Sequence, residues 1–293
     1  MVAAPGQEAL LAEHWQVLRA LTPHAQWLDR VDTCALVPVL RPERVLGAVF
    51  EPDAADLDVA ALHQGYLRGL RRAGGSIVCG AEVTALQRSA ALWQVRAGGV
   101  NYEAPVVLNA AGAWTDVVAA LAGVPAIGLQ PRRRSAMIFA PPQDVVSTHW
   151  PLVIGVGEDW YFKPDAGQLL GSPANADPVA PQDVQPEEMD IALAISRIEE
   201  MTNLTIRRPI RTWAGLRSFV ADGDLVGGFD VAVPGFFWVA AQGGYGIQTS
   251  AAMGESCAAL ARGLALPERI AAFGLTAAML SPARLSMDRS KIG

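Results

Sequence analysis

The segment that most constrains the fold lies near the C-terminus, where an apolar run passes through glycines into a helical pattern. Residues 236–241 are apolar, aromatic and β-branched, which is typical of a buried strand. Gly243-Gly244-Tyr245-Gly246 follows, and the next residues predict a helix. Glycine lets a backbone approach a ligand closely, and a helix start directs free N–H groups towards it. The pattern favours either a flat, anion-prone ligand on this loop or a turn needed only for packing.

Arg217 ends the apolar run of a second block, Thr212–Phe219. A guanidinium in this position needs an anion or water, because burying it unpaired is costly. Its planar fork matches a carboxylate through two parallel hydrogen bonds. The block therefore points to carboxylate binding or to a structural ion pair.

Tyr161 lies in the first strand of a predicted hairpin. Alternation puts Tyr161 and Lys163 on one face and Trp160 and Phe162 on the other. A phenol at the mouth of a site can hydrogen-bond a substrate carboxylate, and the alternative is an ordinary core or surface tyrosine.

Arg132-Arg133-Arg134 starts another predicted strand. If Arg133 points to solvent, alternation turns Arg134 to the opposite face. The run indicates a solvated charge cluster or an arginine directed into a site.

Asn109-Ala110-Ala111-Gly112 ends a short apolar strand. Ligands of open α/β sheets bind at the carboxyl ends of strands, and small residues there let a cofactor pass close to the backbone. Val83, by contrast, carries no local mark of function.

Periodicity and turn residues predict the remaining elements. The predicted helices are 8–21, 57–72 (with Asp58 as N-cap and Gly74 as stop), 114–122, 186–201 (with Met189, Ile191, Ala194, Ile195 and Ile198 apolar) and 248–262. The predicted strands are 76–79, 82–87, 92–96, 100–102, 106–108, 135–140, 159–163, 168–172 and 236–241, with extended chain over 205–219. We therefore expect an α/β fold with a mostly antiparallel insertion.

Composition excludes several classes of function. The net charge is −6 and the sequence has no basic stripe, so nucleic acid is a poor partner. No run of about 18 apolar residues predicts a membrane span, and the first residues lack a signal-peptide pattern. The isolated cysteines and histidines have no metal-ligand spacing. A cytoplasmic protein is expected.

Four blocks together resemble the FAD-dependent D-amino-acid oxidase superfamily, most closely its D-arginine dehydrogenases. The blocks are Asn109–Trp114, Trp160–Pro164, Trp213–Phe219 and Gln242–Gln248. The resemblance implies oxidative deamination, in which a hydride passes from the Cα of a D-amino acid to flavin N5. The imino acid is then hydrolysed to a 2-oxo acid and ammonia.

The resemblance also implies roles for individual residues. Arg217 and Arg134 bind the substrate α-carboxylate, Tyr161 hydrogen-bonds the same group, and backbone groups of Gly244 and Tyr245 hold the amine. The FAD contacts that it implies are Val83, Ala110, Gly112, Gly243, Gly244, Tyr245, Gly246, Ile247 and Gln248.

The chain departs from the family pattern in lacking a Gly-x-Gly-x-x-Gly turn. That turn supplies N–H donors to the pyrophosphate. The expectation is an N-terminally truncated dehydrogenase that lacks the acidic residue for a basic side chain. The alternatives are an inactive or partner-dependent fragment, completed by a second chain, and a flavin-free module that binds amino acids.

The expected organisation is a partial FAD-binding Rossmann-like domain with an inserted antiparallel substrate domain. We assign 1–51 to the substrate domain, 52–131 to the FAD-binding domain, 132–210 to the substrate-binding sheet and 211–293 to the return of the FAD-binding domain.

Overall fold

The structure is a computed structural model that describes residues 1–143 and 145–288. It forms two compact units, each built from separate stretches of chain. The first contains Met1–Ala55, Arg133–Asp177 and Asp183–Leu216. The second contains Asp56–Arg132, Pro178–Gln182 and the described part of Arg217–Gly293. The two units are distinguished by how their residues pack together. The functional roles assigned to 1–51, 52–131, 132–210 and 211–293 stay predictions.

Among the described residues all five predicted helices are present, together with four short helices that the sequence did not predict. The helices are α1 (Glu8–Leu21), α2 (Arg30–Leu36), α3 (Val59–Arg72), α4 (Thr115–Leu121), α5 (Glu188–Met201), α6 (Ser250–Ala261), α7 (Glu268–Ala271), α8 (Ala277–Leu280) and α9 (Ala283–Asp288). Asp58 caps α3 as predicted, since its carboxylate accepts the Ala61 N–H at 2.8 Å. Gly74 follows α3 with φ +84°, a conformation that suits glycine at a helix end.

The strands are mostly short. They are β1 (Val2–Ala3), β2 (Gln26–Asp29), β3 (Gly47–Phe50), β4 (Val83–Ser89), β5 (Leu92–Ala97), β6 (Val100–Ala104), β7 (Val107–Asn109), β8 (Gln130–Phe139), β9 (Val153–Ile154), β10 (Tyr161–Asp165), β11 (Gln168–Ser172), β12 (Asp177–Pro178), β13 (Arg211–Phe219), β14 (Val226–Phe229) and β15 (Phe236–Ala240). The predicted strand over 76–79 is wrong, because those residues form irregular chain. Four residues without alternation gave that prediction little to distinguish a strand from a loop.

The first unit is organised by an antiparallel sheet in the order β12-β8-β11-β10-β9, with β13 also paired to β8. The predicted hairpin is present: β10 pairs antiparallel with β11, so that Tyr161 lies opposite Ser172. Helix α5 packs on β11. Phe162, Leu169 and Ile198 are fully buried in the core of this unit. Met189, predicted to be part of the apolar face of α5, is instead exposed.

The second unit combines a mixed sheet with an antiparallel meander. Strand β15 pairs antiparallel with β14 and parallel with β7, and β4, β5 and β6 form the meander. A parallel strand followed by a turn and α4 is the half of a doubly wound unit expected from the sequence. Phe236 and Trp238 on β15 are fully buried. The expected α/β class with mostly antiparallel additions is confirmed.

Helix α6 packs on β14 through close contacts. A Cβ built on Gly227 would lie 2.6 Å from Met253 Cε and 2.8 Å from Cys257 Sγ, so only glycine permits this approach. Among the described residues, no helix is long and apolar enough to cross a bilayer.

The buried thiol of α6 predicts a pH-dependent stability. Burial raises the pKa of Cys257 from 9.0 to about 11. The unfolded thiol loses its proton above pH 9 while the folded thiol keeps it, so stability is full below that pH and falls above it. After allowance for solvent screening, we expect the wild type to lose about 1–2 kcal/mol more than Cys257→Ala between about pH 8 and pH 10.5. Urea unfolding at the two pH values measures this, and equal losses in both proteins would contradict it.

Candidate active site

The loop between β15 and α6 is tight, and three of its residues, Gly243, Gly244 and Gly246, have no side chain. Gly243 has φ +54°, a left-handed conformation, and its N–H donates to the Ser218 carbonyl at 3.0 Å. A Cβ on Gly243 would lie 2.8 Å from the Phe219 ring. The loop is therefore held against the end of β13 by contacts that only glycine allows. Helix α6 begins at Ser250, two residues later than predicted, because residues 243–249 form successive turns.

Several main-chain groups of this loop make no hydrogen bond within the described part of the chain. Among the described residues, the N–H groups of Gly244, Gly246, Ile247 and Gln248 donate to no acceptor, and the Gly244 carbonyl accepts no hydrogen bond. Gly244 and Tyr245 are exposed. Unpaired N–H groups before a helix suit an electron-rich ligand edge. This donor set fits the pyrimidine side of a flavin ring.

Arg217 lies beside the same loop. A Cβ on Gly244 would lie 3.1 Å from Arg217 Nη1, so the guanidinium passes directly over this glycine. The side chain is half-buried. Among the described residues it has no acidic or hydrogen-bonding partner, so the structural ion pair considered from the sequence is not found there. A desolvated guanidinium without a counter-ion favours an anionic ligand.

In the first unit, Arg134 and Tyr161 lie together. The Arg134 guanidinium carbon is 6.0 Å from the centroid of the Tyr161 ring, and Arg134 Nε donates to the Asn175 carbonyl at 2.6 Å. The Tyr161 hydroxyl makes no hydrogen bond to the described residues. Trp160 and Phe162 point to the opposite, buried face, as strand alternation predicted. The pair offers a cation and a phenol on one face of β10.

Arg133 is buried, which corrects the expectation of a solvated cluster. Its Nε donates to Asp190 at 2.9 Å, and it also pairs with Glu187. Desolvation acts to lower the pKa of Arg133, but the hydrogen bond to Glu187 and the charges of Asp190 and Glu187 raise it overall. Arg133 therefore faces the interior and stays charged. Strand alternation turns the next residue, Arg134, to the opposite face of β8.

The turn after β7 is organised by a buried amide. Asn109 Nδ2 donates to the Thr115 carbonyl at 2.8 Å, and its Oδ1 accepts the Ala111 N–H at 3.3 Å. Gly112 has φ +56° and its Cβ position is open space. Ala110 and Gly112 are exposed, so the backbone here is accessible to a ligand.

Val83 begins the edge strand β4. It pairs with Ala97, and the register shifts by a bulge between Val83 and Ala85. Its side chain packs partly against the core of the second unit. A bulge on an edge strand leaves main-chain groups outside the ladder, which is compatible with a backbone contact to a ligand.

Sequence reasoning missed the groups that surround Arg133 and Arg134. Asp190, Ser135 and Asn175 form a hydrogen-bonded cluster in the first unit. One signal was present: Asp190 is in register with the buried residues Ala194 and Ile198 of α5, so an acidic residue stands on a core-facing stripe.

The two loop glycines predict contrasting effects of substitution. Gly243→Ala should lower the free energy of unfolding by about 2 kcal/mol or more, because alanine resists a left-handed backbone and its methyl would meet Phe219. Gly244→Ala should cost under about 1 kcal/mol, since its methyl meets only the flexible end of Arg217. Urea unfolding compares the two, and similar losses would show that the loop does not have this geometry.

Comparisons with known proteins place the chain in a family. A family model described as DAO, FAD dependent oxidoreductase, matches residues 1–260. The fold is similar to that of glycine oxidase from Geobacillus kaustophilus, with TM-score 0.77, 21% identity, 90% of this chain covered and 70% of that one. It is also similar to L-proline dehydrogenase from P. horikoshii, with TM-score 0.80, 19% identity, and 98% and 76% covered.

A third solved structure with this fold is L-alpha-glycerophosphate oxidase from Mycoplasma pneumoniae with FAD bound, with TM-score 0.75, 18% identity, and 89% and 72% covered. The three agree with the family match in fold, and the family match identifies FAD as the cofactor. The chain belongs to the DAO family of FAD-dependent oxidoreductases.

Proposed function

We propose that this protein carries out the FAD-dependent oxidative deamination of D-amino acids. The observation that supports the proposal most directly is Arg217, half-buried and without a counter-ion among the described residues, directly over Gly244. A cation without a counter-ion on β13, next to a loop with unpaired N–H groups, suits a carboxylate substrate beside an electron-rich ring.

The family's cofactor would be held by main-chain groups rather than by charged side chains. The proposed FAD contacts are Val83, Ala110, Gly112 and the loop Gly243, Gly244, Tyr245, Gly246, Ile247 and Gln248. When bound, FAD supplies the two-electron acceptor for the substrate Cα hydride. The loop N–H groups would offer hydrogen bonds to the negatively charged edge of the reduced ring.

The remaining proposed roles concern the orientation of the substrate. Arg217 binds the α-carboxylate through two parallel hydrogen bonds, and the family resemblance extends this role to Arg134 and Tyr161. The open carbonyl of Gly244, next to Tyr245, accepts a hydrogen bond from the substrate amine. The reaction requires the neutral amine, so the substrate ammonium first gives a proton to water. Transfer of the Cα hydride to the flavin would then let the nitrogen lone pair form the C=N bond. Water then converts the imino acid to a 2-oxo acid and ammonia.

Several proteins with this fold are named for amino-acid substrates, which supports an amino-acid substrate here. They include a glycine oxidase, an L-proline dehydrogenase, an L-amino acid deaminase and an amino acid oxidase of nikkomycin biosynthesis. The chiral amino acids named among these proteins have the L-configuration. The D-configuration in the proposal therefore rests on the resemblance of blocks such as Trp213–Phe219 and Gln242–Gln248.

Substitution of Arg217 tests the proposal. The FAD-reconstituted protein should be reduced anaerobically by D-amino acids, with loss of flavin absorbance. Arg217→Lys should raise KM about 10- to 100-fold, because an ammonium lacks the planar fork. Arg19→Lys, an exposed change on α1, serves as the control and should leave KM unchanged.

The same reduction assay with D- and L-amino acids tests the configuration of the substrate and the enzymatic assignment separately. Reduction by L-amino acids alone would overturn the D-configuration. No reduction by either enantiomer, in protein that holds FAD, would overturn the enzymatic assignment.

A partner-dependent form is the second candidate, and it is supported by exposed apolar surface in the second unit. Helix α3 has no buried residue, and its Val59, Tyr66 and Leu70 lie on one face and are about half exposed. Strand β7 is the edge of its sheet among the described residues. Unpaired strand edges and apolar faces favour association with another polypeptide segment. We propose that such a segment completes FAD binding, since the sequence has no Gly-x-Gly-x-x-Gly turn.

This second candidate predicts measurable surface behaviour. The chain purified alone should bind a hydrophobic dye and self-associate, and Tyr66→Lys should reduce both by interrupting the apolar face. Gln64→Lys, on the other side of α3, adds the same charge and should change neither. Dye fluorescence and analytical ultracentrifugation give the readouts. A monodisperse monomer without dye binding would rule out the partner-dependent form.

A further inference from the structure

A buried carboxylate organises the polar cluster behind Arg134. Asp190 is 8% exposed, and its Oδ2 accepts hydrogen bonds from Arg133 Nε at 2.9 Å, Ser135 Oγ at 2.6 Å and Asn175 Nδ2 at 3.0 Å. Three donors directed at one oxygen satisfy a charge that has left water. Asp190 therefore fixes the positions of its donors as well as balancing Arg133.

Asn175 links the Asp190 cluster to Arg134. Its side-chain Oδ1 accepts the Ser135 N–H at 2.8 Å, and its Nδ2 donates to Asp190 and, at 2.7 Å, to Asp177. With its amide held at both ends, the residue has little freedom to rotate. Its main-chain carbonyl then accepts Arg134 Nε at 2.6 Å.

The chain leading to Asn175 is also held in an unfavourable conformation. Ala174 has φ +51°, a left-handed backbone that alanine rarely adopts. The Ala174 N–H donates to Ser172 Oγ at 3.1 Å, and that hydroxyl donates to the Ser135 carbonyl at 2.7 Å. Ser172 is the cross-strand neighbour of Tyr161. Such a conformation persists only where surrounding contacts determine it, so this turn is rigid.

We propose that Asn175 and Asp190 are positioning residues that set the orientation of the Arg134 guanidinium for carboxylate binding. This inference rests on the proposed function, in which Arg134 binds the substrate carboxylate. A guanidinium is planar, so fixing Nε against the Asn175 carbonyl fixes the plane and the direction of both Nη groups. A carbonyl has no net charge, so the contact orients the cation without neutralising it. Asp190 acts on Arg134 through Asn175.

The test compares a charged ligand with a neutral ligand of similar shape. Benzoate and benzamide have similar shapes, but only benzoate presents a carboxylate to an arginine. Their binding to the FAD-supplemented full chain is measured by calorimetry, which does not depend on turnover. Asn175→Ala should weaken benzoate binding at least tenfold and benzamide binding less than twofold, because only the oriented guanidinium distinguishes them.

Glu187→Gln is the matched control. It removes another carboxylate partner of Arg133. The described side-chain hydrogen bonds of Asn175 run to Ser135, Asp177 and Asp190, so the benzoate preference should persist. Asn175→Ser, which is smaller but polar, provides a second variant should the alanine variant fail to fold. Equal loss of benzoate and benzamide binding in the Asn175 variants, or loss in Glu187→Gln as well, would overturn the positioning role.

Arg134→Ala separates this inference from the proposed function. If Arg134→Ala leaves benzoate binding unchanged, Arg134 is not a carboxylate anchor and that part of the proposed function fails. If Arg134→Ala weakens benzoate binding but the Asn175 variants do not, only the positioning inference fails. The Arg134 Nε–H resonance gives a readout without ligand: its slow solvent exchange should be lost in Asn175→Ala and kept in Glu187→Gln. Unchanged exchange in Asn175→Ala would also contradict the inference.

Discussion

A guanidinium that leaves bulk water must be given an anion, and this constraint distinguishes the arginines of the chain. Arg133 is buried and its charge is balanced by Asp190 and Glu187. Arg217 is half-buried beside Gly244 and has no such carboxylate among the described residues. The charges of the first arrangement are balanced within the protein, while the proposed function assigns a ligand carboxylate to the second. Charge compensation, rather than the presence of an arginine, therefore separates a structural residue from a candidate site residue.

Local patterns in the sequence predicted most of the elements, because their signals are short-range. Helix α1 has the predicted bounds, and the cap at Asp58 follows from a side chain that reaches only three residues along the chain. The hairpin of β10 and β11 and the alternation of Tyr161 with Phe162 follow equally from turn residues and a period of two. The failure over 76–79 came from a segment too short to show any period.

The candidate site was only partly predictable, because its order depends on contacts between distant parts of the chain. The sequence pointed to Arg217 and to the glycine loop through their local context. It could not show that Arg133 is the buried arginine, since that depends on Asp190, 57 residues away. Nor could it show that Arg134 is held by Asn175, 41 residues away. The family resemblance assigned a role to Arg134, but only the structure revealed the contacts that orient it.

Anion recognition alone does not select an amino acid, because the same fold is found in a glycerophosphate oxidase. An arginine accepts a carboxylate or a phosphate, so the difference must lie in what contacts the rest of the substrate. An amine needs hydrogen-bond acceptors, and a main-chain carbonyl provides one without adding charge. Gly244 lies against the Arg217 guanidinium, and among the described residues its carbonyl accepts no hydrogen bond. We infer that the same glycine which lets Arg217 pass close to the loop also supplies the acceptor that favours an amino acid over other anions.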